Sequence, residues 1–301
     1  MRQLCAVRAP SGNEGPMRDF LLEYVQANMQ NWKVQPQLVY GDDFQDCLIL
    51  VFGKPRTAIF AHTDSIGFTV RYDNKLVQIG GPVLKTGTKL VGSDSAGEIE
   101  STVLFDEEIG LLCLDSLRQI ERGTEMTFKP VWREDDEFVQ CCYLDNRLGV
   151  YSALKTAETI TDGAIVFSCW EEHGGGSVSY LIKYLYEQYR IRQALISDIT
   201  WVTEGVHPGH GVVISMRDRS LPRRSFVNKI IGHGKESGIP YQLEVEEHGG
   251  SDGKEIQASP YPIDWIFIGA AEDHVHSPDE KVHKKDIDSM VDFYNYLMEK
   301  L

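Results

Sequence analysis

The sequence predicts an α/β fold, a mixed sheet sandwiched by helices and interrupted by a small all-β insert. Three observations carry this. Leu48-Ile49-Leu50-Val51-Phe52 and Ala58-Ile59-Phe60-Ala61 are continuous apolar runs, the pattern of strands buried on both faces beneath helices. From about residue 70 to 140, short strand-like pieces alternate with Gly, Lys and Asp turns, and no helical spacing emerges. After residue 140, helical and strand patterns alternate again. Neither flank of the insert is a complete sheet fold alone. Residues 1–70 and 141–301 are therefore expected to share one α/β core, with 71–140 as an inserted β-barrel-like domain.

Taken in order, residues 9–15 are turn-rich, and 16–32 follow with Phe20, Leu21, Tyr24, Val25 and Met29 at helical spacing. Beyond the insert, 147–160 reads as helix, 164–170 as strand, 177–189 as helix and 194–199 as strand. Residues 211–216 and 265–270 read as strands, and 284–301 as the last helix. There is no internal repeat.

The chain has 301 residues, 42% hydrophobic and 25% charged, ordinary values for a globular protein. Its net charge of -15 argues against nucleic acid, whose phosphates need clustered Lys and Arg, and against anionic membrane surfaces. No stretch approaches the roughly 20 apolar residues of a membrane span, and the first residues lack the apolar run of a signal peptide. Six cysteines without a C-x-x-C pair read as reduced, mostly buried thiols of a cytoplasmic protein.

The functional signal is a recurring position. Ala58 to Ala61 delivers His62 and Asp64; Ile165 to Trp170 delivers Glu171 and Glu172; Leu195-Ile196-Ser197 delivers Asp198. Tyr143-Leu144 delivers Asp145 just before a helix, and Ile266-Phe267-Ile268 leads to His274 and His276. Ligands of open α/β sheets gather beyond the carboxyl ends of strands. Carboxylates crowded there would repel one another, and metal cations resolve the repulsion. Imidazole with carboxylate is the ligand mixture of zinc, and also of cobalt or manganese.

These residues resemble the glutamyl and deblocking aminopeptidases, the group that includes the tetrahedral aminopeptidases and once carried an endoglucanase label. Pro10-Ser11-Gly12-Asn13-Glu14 looks like that family's opening, and Ala61-His62-Thr63-Asp64-Ser65-Ile66-Gly67-Phe68 is similar to its first ligand motif. Leu144-Asp145-Asn146-Arg147-Leu148-Gly149 resembles its bridging-carboxylate motif, and Glu171-Glu172 with a Gly-rich turn its catalytic pair. Ser197-Asp198-Ile199-Thr200, Gly249-Gly250-Ser251-Asp252 and His276-Ser277-Pro278-Asp279-Glu280 follow in the family's order. Asn146 and Ser65 stand where acidic residues are common in the family, and neither is a proposed ligand.

The resemblance implies two divalent metal ions, zinc with cobalt or manganese as alternatives. His62, Asp145 and Asp198 would hold one. Asp145, Glu172 and His276 would hold the other, with Asp145 bridging. Glu171 would be the general base, and Asp64 would fix the His62 tautomer. The implied substrate is a peptide with a free N-terminus, and the implied state a homo-oligomer. The short insert favours a dimer or other oligomer over a large hollow complex.

Related two-metal carboxypeptidases and deacylases are the nearest alternatives. A glycoside hydrolase or a non-catalytic metal-binding protein is the alternative of another class. His173 and His274 keep open roles. His207, His210, His233, His248 and His283 lie in polar contexts and are not expected to be ligands.

Overall fold

A computed structural model describes residues 1–106 and 110–301. The chain opens with a short helix α1 (Arg2–Cys5) and then α2 (Gly15–Asn28), which has Pro16 in its first turn. Proline suits that position because its missing N–H would have no partner there. Met17, Leu21 and Val25 form the buried stripe of α2, and each contributes roughly 1.5–3 kcal/mol by leaving water. Strands β1 (Gln37–Gly41), β2 (Gln45–Phe52) and β3 (Thr57–His62) follow.

The chain then leaves the large sheet. Strands β4 (Gly67–Val70), β5 (Leu76–Ile79), β6 (Lys89–Asp94), β7 (Gly97–Asp106), β8 (Leu111–Asp115) and β9 (Glu125–Phe128) form a separate antiparallel sheet, ordered β5-β4-β9-β6-β7-β8. Its apolar side joins the main core through aromatic contacts. Ring centroids of Phe68 and Phe128 are 5.8 Å apart, and those of Phe128 and Tyr143 are 6.1 Å apart.

Two short strands, β10 (Arg133–Glu134) and β11 (Phe138–Gln140), return to the large sheet. They are followed by α3 (Leu144–Ala157), β12 (Gly163–Ser168), α4 (Ser177–Tyr189), β13 (Gln193–Trp201), β14 (Val212–Arg217) and α5 (Arg224–Ser237). The last elements are β15 (Tyr241–Val245), α6 (Gly253–Ala258), β16 (Asp264–Asp273), β17 (Lys281–His283) and α7 (Lys284–Lys300). The order in the large sheet is β1-β2-β12-β3-β13-β16-β17-β11-β10, with β14 and β15 attached beside β16. By sheet membership, we propose to divide the chain at about residues 67 and 128.

The apolar runs owe their continuity to two-sided burial. Leu48, Leu50 and Phe52 of β2 join the cluster that holds α2, α3 and α7. Their neighbours Cys47, Ile49 and Val51 join the opposite cluster with α4. The mixed α/β sheet and the separate small antiparallel sheet are what the sequence predicts. It does not predict α5, β15 or α6.

Helix α3 is the structural axis of the site. Gly149 sits where an added Cβ would stand 2.1 Å from the Ser197 carbonyl oxygen. Only glycine lets the helix pack this closely on β13. Below the same strands, the Tyr294 hydroxyl of α7 lies 2.8 Å from the carbonyls of both Ile196 and Ile268. It can donate to either, and it ties β13 to β16 just beneath the functional residues.

Candidate metal centre

Strands β12, β3, β13 and β16 run parallel as neighbours, so their carboxyl ends open on one side. His62 is the last residue of β3, and its register partner Ser168 ends β12. Just beyond, Trp170 takes a left-handed conformation, φ 66°, and leads into the 3₁₀ turn Glu171–His173. β13 pairs with β3 as far as Ile196 opposite Phe60. Two residues further on, at the same spacing, Asp198 stands level with His62 and opposite Gly269 of β16. An added Cβ on Gly269 would come 2.4 Å from the Asp198 carbonyl oxygen, so glycine is required for that close approach.

Asp145 lies in the irregular start of α3. Tyr143 is left-handed, the Asp145–Asn146 peptide is cis, and both Asp145 and Asn146 depart from helical angles. His276 comes from the loop after β16, with φ 63°. Positive φ is costly for residues other than glycine and collects at functional sites. Trp170, Tyr143 and His276 fit that pattern.

The side chains converge. His62 Nε2 lies 3.3 Å from Asp145 Oδ1 and 3.5 Å from Asp198 Oδ2. His276 Nε2 lies 3.3 Å from Asp145 Oδ2 and 3.1 Å from Glu172 Oε2. Within each trio, His62–Asp145–Asp198 and Asp145–Glu172–His276, one donor atom per residue lies within 4.8 Å of the others. Asp145 therefore belongs to both trios and turns a different oxygen to each. Glu171 lines the same cleft.

The charge balance fits cations. Burial would raise the Asp145 carboxyl and lower both imidazoles. The short contacts prevail, however, and hold Asp145 low and His62 well above its usual range. They push His276 up to about 12. Glu172 is raised to about 7, chiefly by burial and then by Asp145, and its Oε1 is buried without a partner among the described residues. Glu171 is also raised well above the carboxylate range, first by burial. A set of two imidazoles and three carboxylates with an unpartnered buried oxygen is a donor set that fits divalent metal.

A supporting layer holds these groups. Asp64 Oδ1 lies 3.3 Å from His62 Nδ1, poorly directed for a hydrogen bond. The Asp64 carboxylate accepts from Ser11 Oγ at 2.6 Å and from the backbone N–H groups of Glu171 and Glu172 at 3.1 and 3.0 Å. It thus couples the His62 strand to the Glu171–Glu172 turn. Asp64→Asn is expected to weaken metal affinity by about 10–100-fold, the usual cost of losing such support, as measured by chelator competition. Affinity within twofold of the native protein would remove Asp64 from this role.

Sequence reasoning assigned no role to several other supports. Buried Glu280 accepts from the Asp145 N–H at 3.2 Å and the His276 N–H at 3.1 Å, joining a residue of each trio. Ser251 Oγ donates to Asp198 Oδ2 at 2.6 Å. The fully buried Arg147 guanidinium donates to the carbonyls of Thr63 at 2.5 Å and Asp64 at 3.3 Å. These residues sit in the quoted motifs, which was the only signal available for them.

His274 is exposed and joins neither trio. His173 Nδ1 accepts from the Gly80 N–H at 3.1 Å, linking the Glu171–Glu172 turn to the small sheet. His248 lines the outer cleft. No helix among the described residues is long and apolar enough to cross a membrane.

The M42 glutamyl aminopeptidase family model matches residues 109–293. A putative aminopeptidase of Acetivibrio thermocellus is 25% identical over 325 residues, covering 97% of this chain and 95% of that protein. Among solved structures, the aminopeptidase APDkam598 of the archaeon Desulfurococcus kamchatkensis superposes with a TM-score of 0.85 at 19% identity, covering 100% of this chain and 93% of that one. The TET1 peptidase of Pyrococcus horikoshii, described as assembling into a tetrahedron or a large octahedral shell, gives 0.81 at 20% identity over 99% and 98%. A Thermotoga maritima protein called endoglucanase gives 0.75 at 18% identity over 99% and 96%.

Proposed function

This chain belongs to the M42 glutamyl aminopeptidase family and is a metal-dependent aminopeptidase, and from that premise we propose that two divalent cations would be held by the two trios that share Asp145. The observation that carries this is the division of one carboxylate between two trios, Oδ1 toward His62 and Oδ2 toward His276. His62, Asp145 and Asp198 would hold one cation, and Asp145, Glu172 and His276 the other. Zinc suits the donors, as do cobalt and manganese. Bound there, the cations would supply Lewis acidity and a water that ionises near neutral pH.

Glu171 is the proposed general base. It lines the cleft without belonging to either trio. Its half-buried carboxyl holds a proton more tightly than a solvated one, chiefly through desolvation, which suits it to take a proton and return it to the leaving amine. Asp64 ties the strand that ends in His62 to the turn that carries Glu171. No lysine or arginine lines the cleft among the described residues, and its carboxylates favour the free α-ammonium of a peptide N-terminus. An internal peptide bond offers no such cation, so cleavage proceeds from the end.

The neighbours' assembly supports a homo-oligomer. Six free cysteines, five of them buried, support a reducing, cytoplasmic location. The glycosidase and carboxypeptidase alternatives are not favoured.

Aminoacyl anilides with free amines are the direct test. Hydrolysis should stop with a chelator, return on adding zinc, cobalt or manganese, and be absent on N-acetylated versions. Turnover that survives chelation, or that is equal on the acetylated substrates, would overturn this assignment.

A further inference from the structure

The cleft extends past the two trios, and its outer wall is also acidic: Asp218, Glu244 and Glu246 line it. Strand β13 fixes where this wall begins. Thr200 follows Asp198 by two residues on the same strand face, about 7 Å further along. Its hydroxyl donates to Glu244 Oε1. Glu244 is 3% exposed and Asp218 is 7% exposed.

Neither carboxylate has an ion-pair partner among the described residues. Arg217, next in sequence to Asp218, directs Nε at 3.1 Å to the Asp218 backbone carbonyl. His248, also in the cleft, faces Glu247 at 3.3 Å. Burying a carboxylate is unfavourable, and burial holds both Asp218 and Glu244 above the usual carboxylate range, although the Ser220 N–H and the nearby Arg217 oppose it at Asp218 and the Thr200 hydroxyl at Glu244. An ammonium or guanidinium arriving with substrate would relieve that cost. Trp201 and Phe267 also line the cleft and offer apolar surface for an aliphatic stem.

Building on the aminopeptidase reading above, we propose that this cleft selects peptides whose N-terminal residue is lysine or arginine, with Glu244 and Asp218 receiving the cationic side chain. An N-terminal glutamate would bring a further carboxylate against three others. The glutamyl preference in the family's name is therefore not expected of this chain.

The test compares kcat/KM of the native, metal-loaded protein on lysyl, arginyl, leucyl and glutamyl anilides. Lysyl or arginyl should lead leucyl by about tenfold or more, as expected for a charge-assisted contact in a buried wall, with glutamyl lowest. Glu244→Gln and Asp218→Asn should each lower lysyl turnover by a larger factor than leucyl turnover. Leucyl or glutamyl turnover matching lysyl in the native protein would overturn the cationic preference and leave the aminopeptidase assignment standing. An absence of turnover on all four would overturn the aminopeptidase assignment itself, and this proposal with it. The native panel decides the matter even where a buried variant fails to fold.

Discussion

Glu171→Gln is expected to lower kcat by about 10²–10⁴-fold, the range for losing a positioned general base, while the metal content stays at the native level. Glutamine keeps the size and polarity of the side chain but cannot accept the proton. Glu171 belongs to neither trio of candidate ligands, so the proposed cations would keep their donors. Its raised proton affinity has a definite cause. Burial is the largest contribution, and the negative Asp198, Glu172 and Asp252 add to it, while His62 opposes them. Metal analysis alongside steady-state kinetics checks the prediction. A metal-loaded variant with turnover within tenfold of native would reassign the base. A variant that loses metal would instead place Glu171 among the ligands.

The sequence carried the fold class through Leu48–Phe52 and 58–61, because burial on both sheet faces removes alternation altogether. It carried helix 177–189 through the clean stripe Val178, Leu181, Ile182 and Leu185. It hid α5, where Gly232, His233 and Gly234 interrupt the periodic apolar pattern and glycine weakens helical propensity. The irregular entry to α3 was partly visible: the helical pattern begins at Arg147, just after Asp145 and Asn146 leave helical angles.

The candidate ligands were legible because each follows a recognisable strand end or motif. Of their supports only Asp64, two residues beyond His62, was expected. Glu280 reaches Asp145 across 135 positions, and Thr200 reaches Glu244 across 44. No local spacing encodes such contacts. The acidic outer wall was equally silent. Asp218, Glu244 and Glu246 look like solvated charges in sequence, and become a wall only when β14 and β15 pair beside β16.

Asp145→Asn offers the sharpest discrimination between two coupled sites and two independent ones. The native carboxylate has an oxygen for each trio, with Oδ1 3.3 Å from His62 and Oδ2 3.3 Å from His276. An asparagine side chain has the same shape but only one acceptor oxygen, and its amide nitrogen is a donor. One trio would keep a neutral, weaker ligand, and the other would face N–H groups that repel a cation. The metal content should therefore fall from the proposed two per chain to one or fewer. Activity should drop on the order of 10³-fold or more, beyond the 10–100-fold typical of residues that merely support a ligand. His62→Ala, by contrast, removes a donor from one trio only, so the second cation should persist at higher occupancy than in Asp145→Asn. Metal titration followed by mass spectrometry under native conditions reads both variants. If Asp145→Asn retained two tightly held ions, the sharing of that carboxylate would be incidental. The chemistry would then have to be rebuilt on two separate metal sites.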